Sequence, residues 1–226
     1  MRVRRLVLLR HGQTEYNAGN RMQGQLDTDL SDLGREQASA AAEVLAKRQP
    51  LVIVSSDLRR ALDTATALAE RCGVSVSVDT RLRETHLGDW QGLTHLEVDD
   101  TAPGARLAWR DDARWAPHGG ESRVDVAERS MPLVDDLLTG IGDWGSEGAG
   151  DASDRPVVLV AHGGLIAALT AALLDLPVDN WPVLGGMGNA SWVQLSGHSS
   201  DDAASRDVQW RLDVWNASAQ VANDVL

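Results

Sequence analysis

The sequence predicts an α/β fold in three layers, α/β/α, around a mostly parallel central sheet. Short unbroken apolar runs recur at Leu6-Val7-Leu8-Leu9, Leu51-Val52-Ile53-Val54 and Val157-Val158-Leu159-Val160-Ala161, the pattern of strands covered on both faces. Segments of helical periodicity alternate with them. The runs stop at Arg10-His11-Gly12, Ser55-Ser56-Asp57 and His162-Gly163-Gly164, so polar residues gather at strand ends, where open α/β sheets bind ligands. A length of 226 residues suits one domain, 1–226, with a sizeable core.

In chain order, Ser31 caps a helix whose Ala38, Ala41, Ala42 and Leu45 follow the i, i+3, i+4, i+7 rule and which stops before Pro50. The next helix carries a core stripe of Leu58, Ala61, Leu62, Ala65, Leu68 and Ala69 and ends before Gly73. Val74, Val76 and Val78 alternate with serines as a half-buried strand, after which Glu84 enters a loop bounded by Gly88 and Gly92. Weak periodicity over 93–120 predicts short helices forming a small cap over the pocket. Trp90, Trp109 and Trp115 read there as packing residues, with Trp115, near His118-Gly119-Gly120, placed to touch a ligand. Val124, Ala127, Met131, Val134, Leu137 and Leu138 mark an amphipathic helix that Pro132 either kinks or begins. The Gly-, Ser- and acid-rich stretch 140–154 reads as a mobile surface loop, and 190–195 with 208–214 as a hairpin or edge pair.

The strand ends carry phosphate chemistry. A guanidinium offers a planar fork of donors to phosphate oxygens, and a neutral imidazole beside it can attack phosphorus or move a proton. Arg10 and His11 leave one strand together, Arg59 and Arg60 open the helix after another, and His162 closes a third. Gly163 and Gly164 would expose backbone N–H groups at a helix start, which favours an anion. Gln13, Asn17, Arg21 and Gln23 supply a hydrogen-bonding rim suited to hydroxyls and a carboxylate.

The formal charge of −12, from 33 acidic and 21 basic residues, argues against a nucleic-acid partner. Lys47 is the sole lysine, so arginine abundance carries no phosphate signal of its own; position does. Cys72 is the single cysteine, which excludes an internal disulfide and fits a cytoplasmic location. The start Met1-Arg2-Val3-Arg4-Arg5 with four apolar residues is too short for a signal peptide, and 165–174 is too short to span a bilayer, so no membrane partner is expected. Six histidines include no His-x-x-x-His spacing, and neither a metal nor another cofactor is expected.

Arg10-His11-Gly12-Gln13-Thr14, with Asn17, Ser55-Ser56-Asp57-Leu58-Arg59-Arg60-Ala61, Leu82-Arg83-Glu84-Thr85-His86-Leu87-Gly88 and Ala161-His162-Gly163-Gly164 resemble, in order, the motifs of the histidine phosphatase, or phosphoglycerate mutase-like, superfamily. The resemblance spans nearly the whole chain. It implies a phosphomonoesterase acting on a small phosphorylated substrate, a homodimer, and Glu84 as proton donor to the leaving alkoxide. With it, His11 is expected to become a phosphohistidine while Arg10, Arg60 and His162 hold the phosphoryl oxygens. A donor must be protonated when it acts, so the rate is expected to fall above neutral pH. The runs 21–28 and 210–226 resemble the branch of the superfamily that acts on a phosphoglycerate conjugate.

Mutases of the superfamily carry Glu-Arg-His-Tyr-Gly and His-Gly-Asn-Ser where this chain has Glu84-Thr85-His86-Leu87-Gly88 and His162-Gly163-Gly164-Leu165. Thr85 replaces the substrate-gripping arginine, which favours phosphatase over mutase, and a broad-specificity phosphatase remains open. A non-catalytic phosphate-binding regulatory module is the alternative of another class. Such modules lose the nucleophile or the acid, whereas this chain keeps Arg10, His11, Arg60, Glu84 and His162 together.

Overall fold

The computed structural model describes residues 2–145, 154–200 and 208–219. Its strands are β1 (Arg2–Arg10), β2 (Val52–Ser55), β3 (Val76–Val78), β4 (Val157–Ala161), β5 (Trp192–Ser199) and β6 (Gln209–Ala217). Its α-helices are α1 (Glu15–Ala18), α2 (Asp32–Ala46), α3 (Arg59–Cys72), α4 (His95–Thr101), α5 (Ala105–Asp111), α6 (Arg123–Gly140) and α7 (Gly163–Leu173). The sheet order is β3-β2-β4-β1-β5-β6; the first four strands run parallel, and β5 and β6 add an antiparallel edge.

The unbroken apolar runs are explained by two cores. Leu6, Leu8, Val157 and Leu159 pack against α6 and α7, whereas Val7, Leu9, Val158 and Val160 pack against α2 and α3. Successive side chains point to opposite faces, so a strand buried on both must be apolar throughout. Helix ends follow local chemistry. Ser31 Oγ accepts the Gly34 N–H at 3.1 Å, and Gly73 ends α3 in the left-handed region at φ 65°.

Parallel register aligns the functional strand ends. Arg10 pairs with Ala161 across β1 and β4, and Ser55 with Val160 across β2 and β4, so Arg10-His11, Ser56 and His162 leave one sheet edge side by side. Between them α7 and α3 begin, directed away from that edge.

Several expectations need correcting. The strand near Val74 shrinks to three residues, Val76–Val78, with Val78 52% exposed, because among the described residues β3 is the edge strand and no further strand pairs with its outer side. Pro132 lies inside α6; the helix begins instead at Ser122, whose side chain and that of Asp125 form a reciprocal cap. Of the loop 140–154, residues 146–153 lie outside the described residues; Gly140, Gly142 and Asp143 are exposed, whereas Trp144 is fully buried and donates from Nε1 to the Arg5 carbonyl at 3.1 Å. The end of the tail, 220–226, also lies outside the described residues. Short α1, held by a Thr14–Asn17 cap, is absent from the sequence reading. Among the described residues no helix is long and apolar enough to cross a membrane.

Candidate active site

A cavity of about 140 Å³ opens at this sheet edge, lined by Arg10, His11, Asn17, Arg21, Gln23, Arg60 and Glu84, with Met22, Gly24, Leu87 and Trp109. A larger one, about 280 Å³, lies behind the 188–191 loop and, among the described residues, is lined by no ionisable side chain.

His11 is 2% exposed, and its Nδ1 lies 2.6 Å from the Gly12 carbonyl. A carbonyl can only accept, so Nδ1 carries the proton and Nε2 keeps its lone pair. Burial, then the charges of Arg60 and Arg10, push the imidazole pKa well below the usual 6.5, against the opposing pull of the Gly12 carbonyl. The ring is neutral at neutral pH.

His162 stands beside it, ring centroids 5.1 Å apart, and is also held neutral, chiefly by burial and then by Arg60. Its Nε2 lies 2.9 Å from Ser56 Oγ, which accepts the Leu58 N–H at 3.3 Å. Among the described residues the Ser56 hydroxyl hydrogen has no other acceptor, so it donates to Nε2 and leaves the His162 proton on Nδ1.

Arg60 reaches the cavity from the first turn of α3, donating to the Gly24 and Leu26 carbonyls at 2.8 and 2.7 Å. Burial brings its pKa down to about 10, leaving it charged. Arg10 donates from Nη1 to the Met187 carbonyl. Among the described residues, Arg10 Nε, Arg60 Nε and His162 Nδ1 are all buried without a partner. Buried donors are rarely left so, and all three belong to residues that neighbour His11: the charges of Arg60 and Arg10 act on its ring, and the His162 ring stands beside it, itself outside the cavity lining.

Asn17 presents a fourth donor. Its Oδ1 accepts from Thr14 N and Asn189 Nδ2, both at 3.1 Å, which leaves the amide NH2 available to the cavity. Gln23 likewise has its Oε1 occupied by Thr28 Oγ1 at 2.7 Å. Arg21 lies at the rim, donating to the Gly92 carbonyl at 2.9 Å.

Glu84 occupies the start of α7. Its Oε1 accepts from Thr85 N at 2.8 Å and Leu165 N at 3.0 Å, and its Oε2 from Gly164 N at 3.1 Å. The helix N-terminus read as a seat for a ligand anion is therefore taken by the protein's own carboxylate. Gly163 is outside the cavity lining; a Cβ there would stand 3.4 Å from Arg10 Nε, so it gives that guanidinium room. Gln13 also turns away, accepting at Oε1 from Ser31 Oγ at 3.1 Å. Trp115 stacks on Trp90 at 5.4 Å, and it is Trp109 that lines the cavity. Sequence reading missed Asn189, although a lone asparagine in the glycine-rich run Gly185-Gly186-Met187-Gly188 was the available signal.

A fold with two neutral histidines and two arginines at the carboxyl edge of a parallel sheet, and an acid on the adjacent helix start, defines a phosphate-handling class. A profile of the histidine phosphatase superfamily (branch 1) matches residues 6–206, and the chain belongs to that superfamily. It is 82% identical over 229 residues to glucosyl-3-phosphoglycerate phosphatase of Mycolicibacterium vanbaalenii, covering 100% of both chains. A mycobacterial glucosyl-3-phosphoglycerate phosphatase solved with VO3 is 74% identical, with a TM-score of 0.90 over 95% of this chain and 100% of that one. Its complex with inorganic phosphate gives 72% identity and a TM-score of 0.88, over 96% and 99% of the two chains.

Proposed function

We propose that the chain hydrolyses glucosyl-3-phosphoglycerate to glucosylglycerate and inorganic phosphate through a phosphohistidine at His11, without a metal. The carrying observation is that the residues neighbouring a neutral His11 imidazole, Arg10, Arg60 and His162, each keep a buried donor without an acceptor, at Nε, Nε and Nδ1, while the Nε2 lone pair of His11 is free. Full-length identity to relatives of that name supports the substrate. The resemblance assigns the reaction to methylglucose lipopolysaccharide synthesis.

Phosphomonoester hydrolysis is among the slowest uncatalysed reactions, accelerated by enzymes up to ~10²¹-fold, so charge stabilisation and positioning must do most of the work. His11 Nε2 attacks phosphorus in line; the bond to the leaving oxygen breaks, and Glu84 gives that oxygen its proton. Oε2 of Glu84, with a single N–H contact, is the oxygen available to turn toward the leaving group. Arg10, Arg60, His162 and the Asn17 amide hold the three equatorial oxygens. Water, losing a proton to Glu84, then attacks phosphorus, breaks the N–P bond and frees phosphate. Gln23, Arg21 and Trp109 face the rest of the substrate.

Thr85 is 2% exposed and packed against the Glu84 carboxylate, so it cannot grip a glycerate for return transfer as a mutase would require. The same reading takes 1–226 as a single domain with 93–120 as its cap, cytoplasmic and homodimeric. Support comes from α4 and α5 packing with Met22 and Leu87 at the cavity, from the lone Cys72 and from the family resemblance.

Phosphate release from glucosyl-3-phosphoglycerate, 3-phosphoglycerate and an aryl phosphate, measured in chelator for wild type and His11→Ala, tests the reading. A strong preference for the glucosyl compound, lost in the variant, is expected. Equal slow rates on all three would remove the substrate assignment.

A further inference from the structure

The segment that carries Glu84 has no regular secondary structure from Arg83 to Leu87, so between the 3-10 turns at its two ends its backbone polar groups must find partners outside helix and sheet ladders. Three carbonyls, those of Arg81, Arg83 and Glu84, are met by one side chain from α6. Arg129 donates from Nη1 to the Arg81 carbonyl at 2.7 Å, and from Nη2 to the carbonyls of Arg83 at 2.8 Å and Glu84 at 3.0 Å. The guanidinium is in turn oriented by Glu121, which accepts from Nε at 2.8 Å and from Nη2 at 3.1 Å. Glu121 closes the far end: its Oε2 accepts the His86 N–H at 2.7 Å, and its own N–H donates to the His86 carbonyl at 2.7 Å. Gln25 Nε2 adds a second donor to the Glu84 carbonyl at 3.1 Å.

Both charged side chains are mostly buried, 22% and 23% exposed, so the ion pair is better shielded than an ordinary surface pair. Neither residue lines the cavity. Resting on the reading of Glu84 as the acid, we infer that Arg129, oriented by Glu121, is the positioning residue that fixes where the Glu84 carboxyl stands relative to the leaving oxygen. One planar fork bridges three carbonyls of the acid-bearing segment, a task that a lysine ammonium, a single point donor, cannot reproduce. The Glu84 side chain is held independently, on the N–H groups of Gly164 and Leu165. The acid is thus clamped at main chain and carboxylate, from two different helices. Misplacing such a group by an ångström is enough to cost large factors in rate.

A proton donor matters when the leaving group is a poor one, an alkoxide, and matters little for 4-nitrophenolate, which departs unprotonated. Values of kcat/KM, which report the steps through departure of the leaving group and not the later attack of water common to both substrates, therefore separate positioning from a general loss of fold when Arg129→Gln, Arg129→Lys and Glu121→Gln are compared on glucosyl-3-phosphoglycerate and on 4-nitrophenyl phosphate. Glu84→Gln serves as the reference for a missing acid, which typically costs about 10²- to 10⁴-fold. For Arg129→Gln, kcat/KM on the alkyl phosphate is expected to fall at least about tenfold, that on the aryl phosphate staying within about threefold. Arg129→Lys should fail to restore it, and Glu121→Gln should give the same selective loss in smaller measure.

If Glu84→Gln shows no difference between the two leaving groups, the acid assignment fails and the inference falls with it. If Glu84→Gln discriminates but the Arg129 and Glu121 variants lose both activities in parallel, or neither, the positioning role alone is overturned. Should Arg129→Gln not fold, Glu121→Gln, which keeps the shape and one acceptor oxygen, decides by the same comparison.

Discussion

The imidazoles of His11 and His162 stand with centroids 5.1 Å apart and planes tilted by 58°, both neutral, both buried, between the same two arginines. Protonating either would place a third positive charge in the site. In the unfolded chain each titrates near the usual 6.5, and in the fold each takes its proton only at lower pH, so between those values the unfolded state binds more protons. Stability from these groups is complete above 6.5 and lost as pH falls, by up to about 1.4 kcal/mol per pH unit for each. Urea denaturation at a series of pH values should show this, with a shallower slope in His162→Asn. The acid limb of kcat/KM should lie below 6.5 for the same reason, since the nucleophile must be neutral.

Ser56→Ala removes the hydroxyl that holds the proton of His162 on Nδ1. The expected result is a fall in kcat and a stability loss of about 1–3 kcal/mol from the buried nitrogen left unpaired. Ser56→Thr keeps the hydroxyl and should keep the activity. Nitrogen NMR of the His162 ring would read the tautomer directly, and a proton on Nε2 in wild type would contradict this assignment.

Gly164→Ala adds a Cβ 2.6 Å from Glu84 Oε1 and 2.7 Å from Thr85 Oγ1. Alanine is the better helix former, so the fold should persist while the acid is displaced. Steady-state kinetics should show kcat on the alkyl phosphate reduced about tenfold or more, because general acid catalysis is worth about 10²- to 10⁴-fold when intact.

Gly12→Ala acts differently. Its Cβ would meet the Gly34 carbonyl oxygen at 2.2 Å, backbone that cannot step aside, where β1 ends against the start of α2. Overpacking of this kind costs typically 1–3 kcal/mol or more, and a lowered melting temperature alongside lost activity is expected.

Trp144→Ala tests the core away from the site. The side chain is fully buried and its Nε1 bonds the Arg5 carbonyl, so truncation should cost about 3–5 kcal/mol. Relative rates on different substrates should be unchanged in the folded fraction, as measured by thermal melts with parallel kinetics.

Local patterns in the chain determined the order of strands and helices, the caps at Ser31 and Gly73, and the residue types at three strand ends. Strand burial, capping and helix periodicity are short-range effects, so they can be read from neighbours in sequence. The sequence also placed Arg10, His11, Arg60, Glu84 and His162 in one set, and the fold brings these five side chains to one sheet edge. What only the tertiary structure decided is how distant groups meet. Asn189 reaches Asn17, Glu84 takes the helix start that looked free for a ligand, and Arg129 holds the acid-bearing segment from α6. Gln13 and Trp115 faced elsewhere for the same reason: a side chain on a loop takes its direction from whatever packs beside it. The buried Trp144 in a stretch that reads as polar loop follows suit, since its pocket is made by β1, remote in sequence and adjacent in space.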